Sequence, residues 1–144
     1  MTAFTTLTPT LLERLSALLP PDTLFSDVRT LEKHSCDQSK NTSFLADAVV
    51  KPRTVEEVAR ILTFCNSERL PIVVQGGLSG LNAAALPVHR GIAMSMERLN
   101  TILKIDKENF QVTTEAGVVT EHLQNVLEAE GLFYPPDPQG RGWS

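Results

Sequence analysis

At 144 residues, with 42% apolar, 21% charged and 6% aromatic residues, the chain amounts to one domain with enough hydrophobic material for a core. A formal net charge of −4, without a run of three Lys or Arg, excludes a general binder of nucleic-acid phosphates. No stretch approaches the about 18 apolar residues of a membrane span; the polar start Met1 to Thr8 is unlike a secretory signal, and Cys36 and Cys65 form no CxxC, so a reduced cytoplasmic chain is expected.

Thr8 can cap a helix that begins at Pro9, a favoured first position for proline. Leu11, Leu12, Leu15, Leu18 and Leu19 share one face of it, and Pro20-Pro21 stops it. Packing on its own domain is the expected use of that stripe. Asp22 to Ala46 is mixed and polar and reads as a short helix or turn plus loop. Ala48-Val49-Val50 reads as a short buried strand. Thr54 followed by Glu57 forms a capping box, and Val55, Val58, Ala59, Ile61, Leu62 and Cys65 recur at helical spacing. Pro71 to Val74 is a second β-branched strand, so residues 48–74 predict a βαβ unit with parallel pairing.

Ile92, Met94 and Met96 alternate with Ala93 and Ser95, the period of a half-buried strand. Thr101 to Asp106 and Phe110 to Glu115 predict two strands joined by a turn at Lys107-Glu108-Asn109. Val119, Leu123, Val126 and Leu127 predict a last helix ended by Gly131, before a loop rich in proline and glycine.

Between the second and third strands lies Gln75-Gly76-Gly77-Leu78-Ser79-Gly80-Leu81-Asn82. Its glycines permit positive φ and close backbone approach, and successive N–H groups in such a turn can form an anion-binding nest. No Lys or Arg occurs from Pro71 to His89, so an anion held here is held mainly by backbone dipoles. A P-loop is excluded because no lysine follows the glycines, and the GGxxG spacing is not the Rossmann fingerprint. A tight connection between two strands is the alternative reading of the same residues.

The order of motifs resembles the FAD-linked oxidases of the vanillyl-alcohol-oxidase type, in the branch of the glycolate oxidase flavoprotein subunit, D-lactate dehydrogenase and D-2-hydroxyglutarate dehydrogenase. Val49 to Val58, the glycine loop through Pro87, Met96 to Asp106, and Glu115-Ala116-Gly117-Val118 with Pro135-Pro136-Asp137-Pro138 carry the likeness. It implies an α+β, PCMH-type FAD-binding domain: a small βαβ-containing sheet flanked by helices, the first lobe of an incomplete domain. Residues 1–46 are then a helical and loop extension, and residues 47–144 the N-terminal portion of that domain.

Carried over residue by residue, Gln75, Gly76, Gly77, Leu78, Ser79, Gly80 and Leu81 hold the FAD pyrophosphate, with Asn82 adjacent. Pro52 lies toward the adenine end, and Pro136 and Asp137 lie in the segment beside the flavin. Ala83 and Ala84 stand where the family has glycines, and Leu78 where it has a small or polar residue. Family members continue with a second glycine-rich segment and a substrate domain. The resemblance therefore implies oxidation of a 2-hydroxy acid by the full-length parent, a fragment inactive alone, and a role for a partner chain that supplies the missing lobe.

No catalytic or metal-binding residue is assigned. His34, His89 and His122 read as surface histidines, Asp37 as a turn residue or a family aspartate, and Trp143 as a core residue. Two other classes stay open: a non-enzymatic nucleotide-binding or partner-docking module, and a gene fragment without a function of its own.

Overall fold

The computed structural model describes residues 4–138 and Gly142; Trp143 lies outside them. Helix α1 (Pro9–Ala17) begins as its cap predicts, with the Thr8 hydroxyl accepting from the Leu11 amide at 3.3 Å. Strand β1 (Leu24–Phe25) and helix α2 (Val28–Lys33) follow, and β1 is an element the polar composition of this stretch concealed. Strand β2 (Ala48–Val50), helix α3 (Val55–Glu68), strand β3 (Ile72–Gln75) and strand β4 (Ile92–Ser95) then build the main sheet. Thr54 caps α3 through the Glu57 amide at 3.2 Å. The Glu57 carboxylate reaches back to the Arg53 amide at 2.8 Å, one residue before the cap itself.

The strand order is β1-β2-β4-β3. The expected parallel pairing of β2 with β3 is therefore corrected: β4 lies between them, parallel to both. Burial explains the insertion. All four residues of β4 are buried, so the half-buried alternation read from Ile92 to Met96 is also corrected. A strand apolar on both faces belongs in the middle of a sheet covered on both sides. Ile92 and Met94 pack with Leu15 of α1 and with Ile61 and Phe64 of α3 on one face, while Ala93 and Val49 meet Phe25 and Leu31 on the other. Leu15 is fully buried, so the stripe of α1 packs on this domain.

The insertion decides where a site forms. Gln75 pairs with Ser95 at the carboxyl ends of β3 and β4, so residues 76–82 and 96–100 emerge side by side. Crevices at the carboxyl ends of parallel strands are the usual ligand positions of such sheets.

Strands β5 (Ile102–Asp106) and β6 (Gln111–Thr114) form the separate antiparallel hairpin predicted, and helix α4 (Thr120–Ala129) follows. Gly117 ties this second layer to the first. Its amide donates to Leu99 O at 2.7 Å, and a Cβ there would lie 2.0 Å from Met96 O, so only glycine permits the approach. Cys65 is buried, which pushes its thiol up to about 11, and Cys36 is half-buried. No helix among the described residues is long and apolar enough to cross a membrane.

Candidate functional site

A cleft of about 310 Å³ opens at the carboxyl ends of β3 and β4. The glycine loop contributes Gly76, Gly77 and Leu78 to its wall, and the end of α2 contributes Lys33 and His34. Glu97 and Asn100 after β4, and residues 116–119 before α4, close the opposite side.

The loop is held from outside itself. Gln38 N donates to Leu78 O at 3.0 Å and to Gly80 O at 3.2 Å, and the Asp37 carboxylate accepts from Ala83 N at 2.8 Å. The same carboxylate accepts from Ser39 Oγ at 2.6 Å. These bonds, that from Ser39 first and then that from Ala83, hold the Asp37 carboxyl below the usual carboxylate range. Asp37 is therefore a buried clamp on the loop, and it is also the turn residue expected, its carboxylate accepting from Ser39 N at 3.1 Å and its carbonyl from Lys40 N at 3.2 Å.

With the Leu78 and Gly80 carbonyls so engaged, the loop leaves its donors free. Among the described residues, no amide from Gly76 through Asn82 donates to a protein acceptor. The glycines are not explained by positive φ, contrary to expectation: Gly76 and Gly80 lie outside the left-handed region, whereas Leu78 (φ 56°) and Ala83 (φ 57°) lie inside it. Nor does packing require glycine at 76 or 80. A Cβ at Gly76 or Gly80 would meet nothing within 4 Å among the described residues. Bare backbone beside open space, with unbonded amides, fits a diphosphate cradle.

The Gln75 side chain is fully buried beneath the loop. Its Nε2 donates to His34 O at 3.0 Å and to Ala85 O at 2.9 Å, and its Oε1 lies 2.8 Å from His34 Nδ1. His34 is thus a buried residue, 3% exposed, and the surface reading is corrected. Burial is the main reason that its imidazole is held below its ordinary value, so the neutral ring is favoured. Its Nε2 is buried without a hydrogen-bond partner among the described residues. An unmet buried acceptor costs on the order of 1–3 kcal/mol, so a ligand donor there is physically favoured.

Lys51 Nζ lies 2.8 Å from Glu97 Oε1, and Lys33 Nζ lies 3.7 Å from Oε2. Burial opposes ionisation of Glu97, but the Lys51 contact and then Lys33 outweigh it and keep the carboxyl below its usual range. Lys33 brings to the cleft a cation that the chain around the loop lacks.

The remaining sequence-predicted residues are dispersed. Ser79 is half-buried, and Gly80, Leu81 and Asn82 are exposed further along the loop. Pro52 is buried in the interior. Pro136 and Asp137 lie exposed beyond α4, where Gln124 Nε2 donates to Pro136 O at 2.9 Å and Asp137 borders a separate hollow of about 270 Å³. Sequence reasoning missed Lys33, His34, Glu97 and Asn100. They fall in polar stretches where no period distinguishes a buried side chain from a solvated one. His89 and His122 are exposed, as expected.

A sequence profile described as the FAD binding domain matches residues 46–144. The chain belongs to this FAD-binding domain family. It is 39% identical over 105 residues to the glycolate oxidase subunit GlcD of Bacillus subtilis, covering 73% of this chain and 22% of that protein. It is 31% identical over 136 residues to the D-2-hydroxyglutarate dehydrogenase of Stutzerimonas stutzeri, covering 94% of this chain and 29% of that protein. The FAD-binding chain thus spans less than a third of the length of these relatives. Among solved structures, p-cresol methylhydroxylase superposes with a TM-score of 0.73 at 26% identity, over 85% of this chain and 25% of that one. The fold is the mixed α+β fold of the PCMH-type FAD-binding domain, as the motifs implied, and FAD is the cofactor of the family.

Proposed function

We propose that residues 75–82 grip the diphosphate of FAD in an oxidoreductase that oxidises a 2-hydroxy acid of the glycolate, D-lactate or D-2-hydroxyglutarate class. The observation that carries this reading is the run of amides from Gly76 to Asn82 unbonded among the described residues, with the Cβ directions of Gly76 and Gly80 empty there as well. Such amides stabilise an anion without a fixed cation, and Lys33, 3.7 Å from the Glu97 carboxylate, lines the same cleft.

When bound, the flavin supplies the two-electron acceptor for oxidation of the carbinol carbon. This chain's residues bind and orient. Gln38 and Asp37 hold the loop carbonyls and the far end of the loop, so the amides of residues 76–82 keep their direction. Gly117 brings residues 116–119 against the cleft and narrows access for water. Pro52, Pro136 and Asp137 are assigned as flanking positions by family resemblance. The domain division near residue 46 follows the extent of the family match, with the preceding residues docked on the same core. A reducing, cytoplasmic setting is part of the proposal, supported by free Cys36 and Cys65.

The test is FAD titration of the chain followed by flavin fluorescence, with Gly76→Val beside wild type. The valine side chain should fill the space above the loop and abolish binding. Equal binding by both proteins would reduce the loop to a connection between strands.

A further inference from the structure

The cleft contains one group that the grip on a diphosphate does not use. Gln75 Nε2 spends both its hydrogens on the carbonyls of His34 and Ala85. Its orientation is therefore fixed, and Oε1 can only accept. The atom 2.8 Å away, His34 Nδ1, must carry the ring proton. In the neutral ring this leaves Nε2 as a lone pair, buried and without a partner among the described residues, on a residue of the cleft wall. Glu97 does not compete for the ring, because Lys51 and Lys33 hold its two oxygens.

Resting on the flavin reading above, we propose that His34 Nε2 accepts a hydrogen bond from an O–H or N–H of the nucleotide, and so marks where its donor-bearing organic part lies rather than its diphosphate. Phosphate oxygens are acceptors only, and a neutral Nε2 facing them would add repulsion instead of a bond. The cleft wall then selects by two opposite chemistries. Amides of residues 76–82 take the anion, and His34 takes a hydroxyl or a ring N–H. Burial and the nearby lysines keep the ring in the neutral form that this division requires.

The experiment is long-range proton–nitrogen NMR on the uniformly labelled chain, titrated separately with FAD, riboflavin, adenosine and inorganic pyrophosphate. The free chain should show His34 protonated on Nδ1. FAD should shift Nε2 toward a hydrogen-bonded acceptor, and riboflavin or adenosine should do the same, naming the half of the cofactor that supplies the donor. Pyrophosphate should shift the amides of residues 76–82 and leave Nε2 unmoved. His34→Asn keeps an N–H toward Gln75 and deletes Nε2; it should weaken FAD about 3- to 10-fold and leave pyrophosphate unchanged. Loop amides that respond to FAD while Nε2 stays still, or His34→Asn binding FAD like wild type, would overturn this inference and leave the loop assignment standing. Absence of any response in the loop amides to both FAD and pyrophosphate overturns both. Should His34→Asn fail to fold, the wild-type Nε2 response decides alone.

Discussion

Gln75 and His34 lock one another: the glutamine oxygen accepts from Nδ1 at 2.8 Å while the glutamine nitrogen donates to the histidine's own carbonyl at 3.0 Å. This reciprocal pair joins the last residue of β3, where the glycine loop begins, to the end of α2. It places the loop's point of departure under the control of a segment about 40 residues earlier.

Replacing Gln75 by Leu should therefore be severe for a change of similar volume. It strands the His34 Nδ1 proton and the carbonyls of His34 and Ala85 in a buried setting. With about 1–3 kcal/mol for each buried group left unpaired, a net loss on the order of 2–4 kcal/mol is expected in urea denaturation. A loss below about 0.5 kcal/mol, the range of ordinary surface changes, would show that water relieves these groups.

The glycines divide into two kinds, and alanine substitution separates them. Gly76→Ala places its methyl in open space, so stability should stay within about 0.5 kcal/mol of wild type. Gly117→Ala drives its methyl to 2.0 Å from Met96 O and should cost about 1–3 kcal/mol or more, because backbone must move. Thermal melts of the two variants side by side read the contrast.

Ala83 adopts φ 57°, a conformation that favours glycine. Ala83→Gly removes about 1–2 kcal/mol of left-handed strain and adds about 0.5–1 kcal/mol of unfolded-chain entropy. A net gain of up to about 1.5 kcal/mol is expected, seen as a raised melting temperature. A lowered one would mean that the Ala83 methyl contributes more packing than its strain removes.

The pH dependence follows from the same histidine. Its folded-state value lies below the ordinary 6.5, so the unfolded chain takes up the proton first as pH falls. The stability linked to His34 is fully present above 6.5 and is lost as pH falls from there toward the folded value. Asp37 and Glu97 are also held low, but their losses begin from 3.8 and 4.5 downward. Urea midpoints measured between pH 6.5 and 4.5 should decline for wild type and stay flatter for His34→Asn. Parallel slopes would remove His34 as the cause.

Local chemistry along the chain determined a good deal. Thr8 and Thr54 caps, the α3 helix, the β5–β6 hairpin and the glycine loop after a β-branched strand are written in near neighbours, where capping and turn chemistry need no tertiary partner. The predicted α3 stripe is corrected, since Val55, Ala59 and Leu62 are exposed and Phe64 is buried beside Ile61 and Cys65. The order of motifs was likewise enough to place the chain in its family. Strand order was not legible, because β4 enters between β2 and β3 to bury both of its faces, a choice made by helices on opposite sides of the sheet. The identity of His34 as a buried, tautomer-fixed wall of the cleft was also decided only in three dimensions. Its partner, Gln75, is 41 residues away, and hydrogen bonds across such a separation leave no period for a sequence to display.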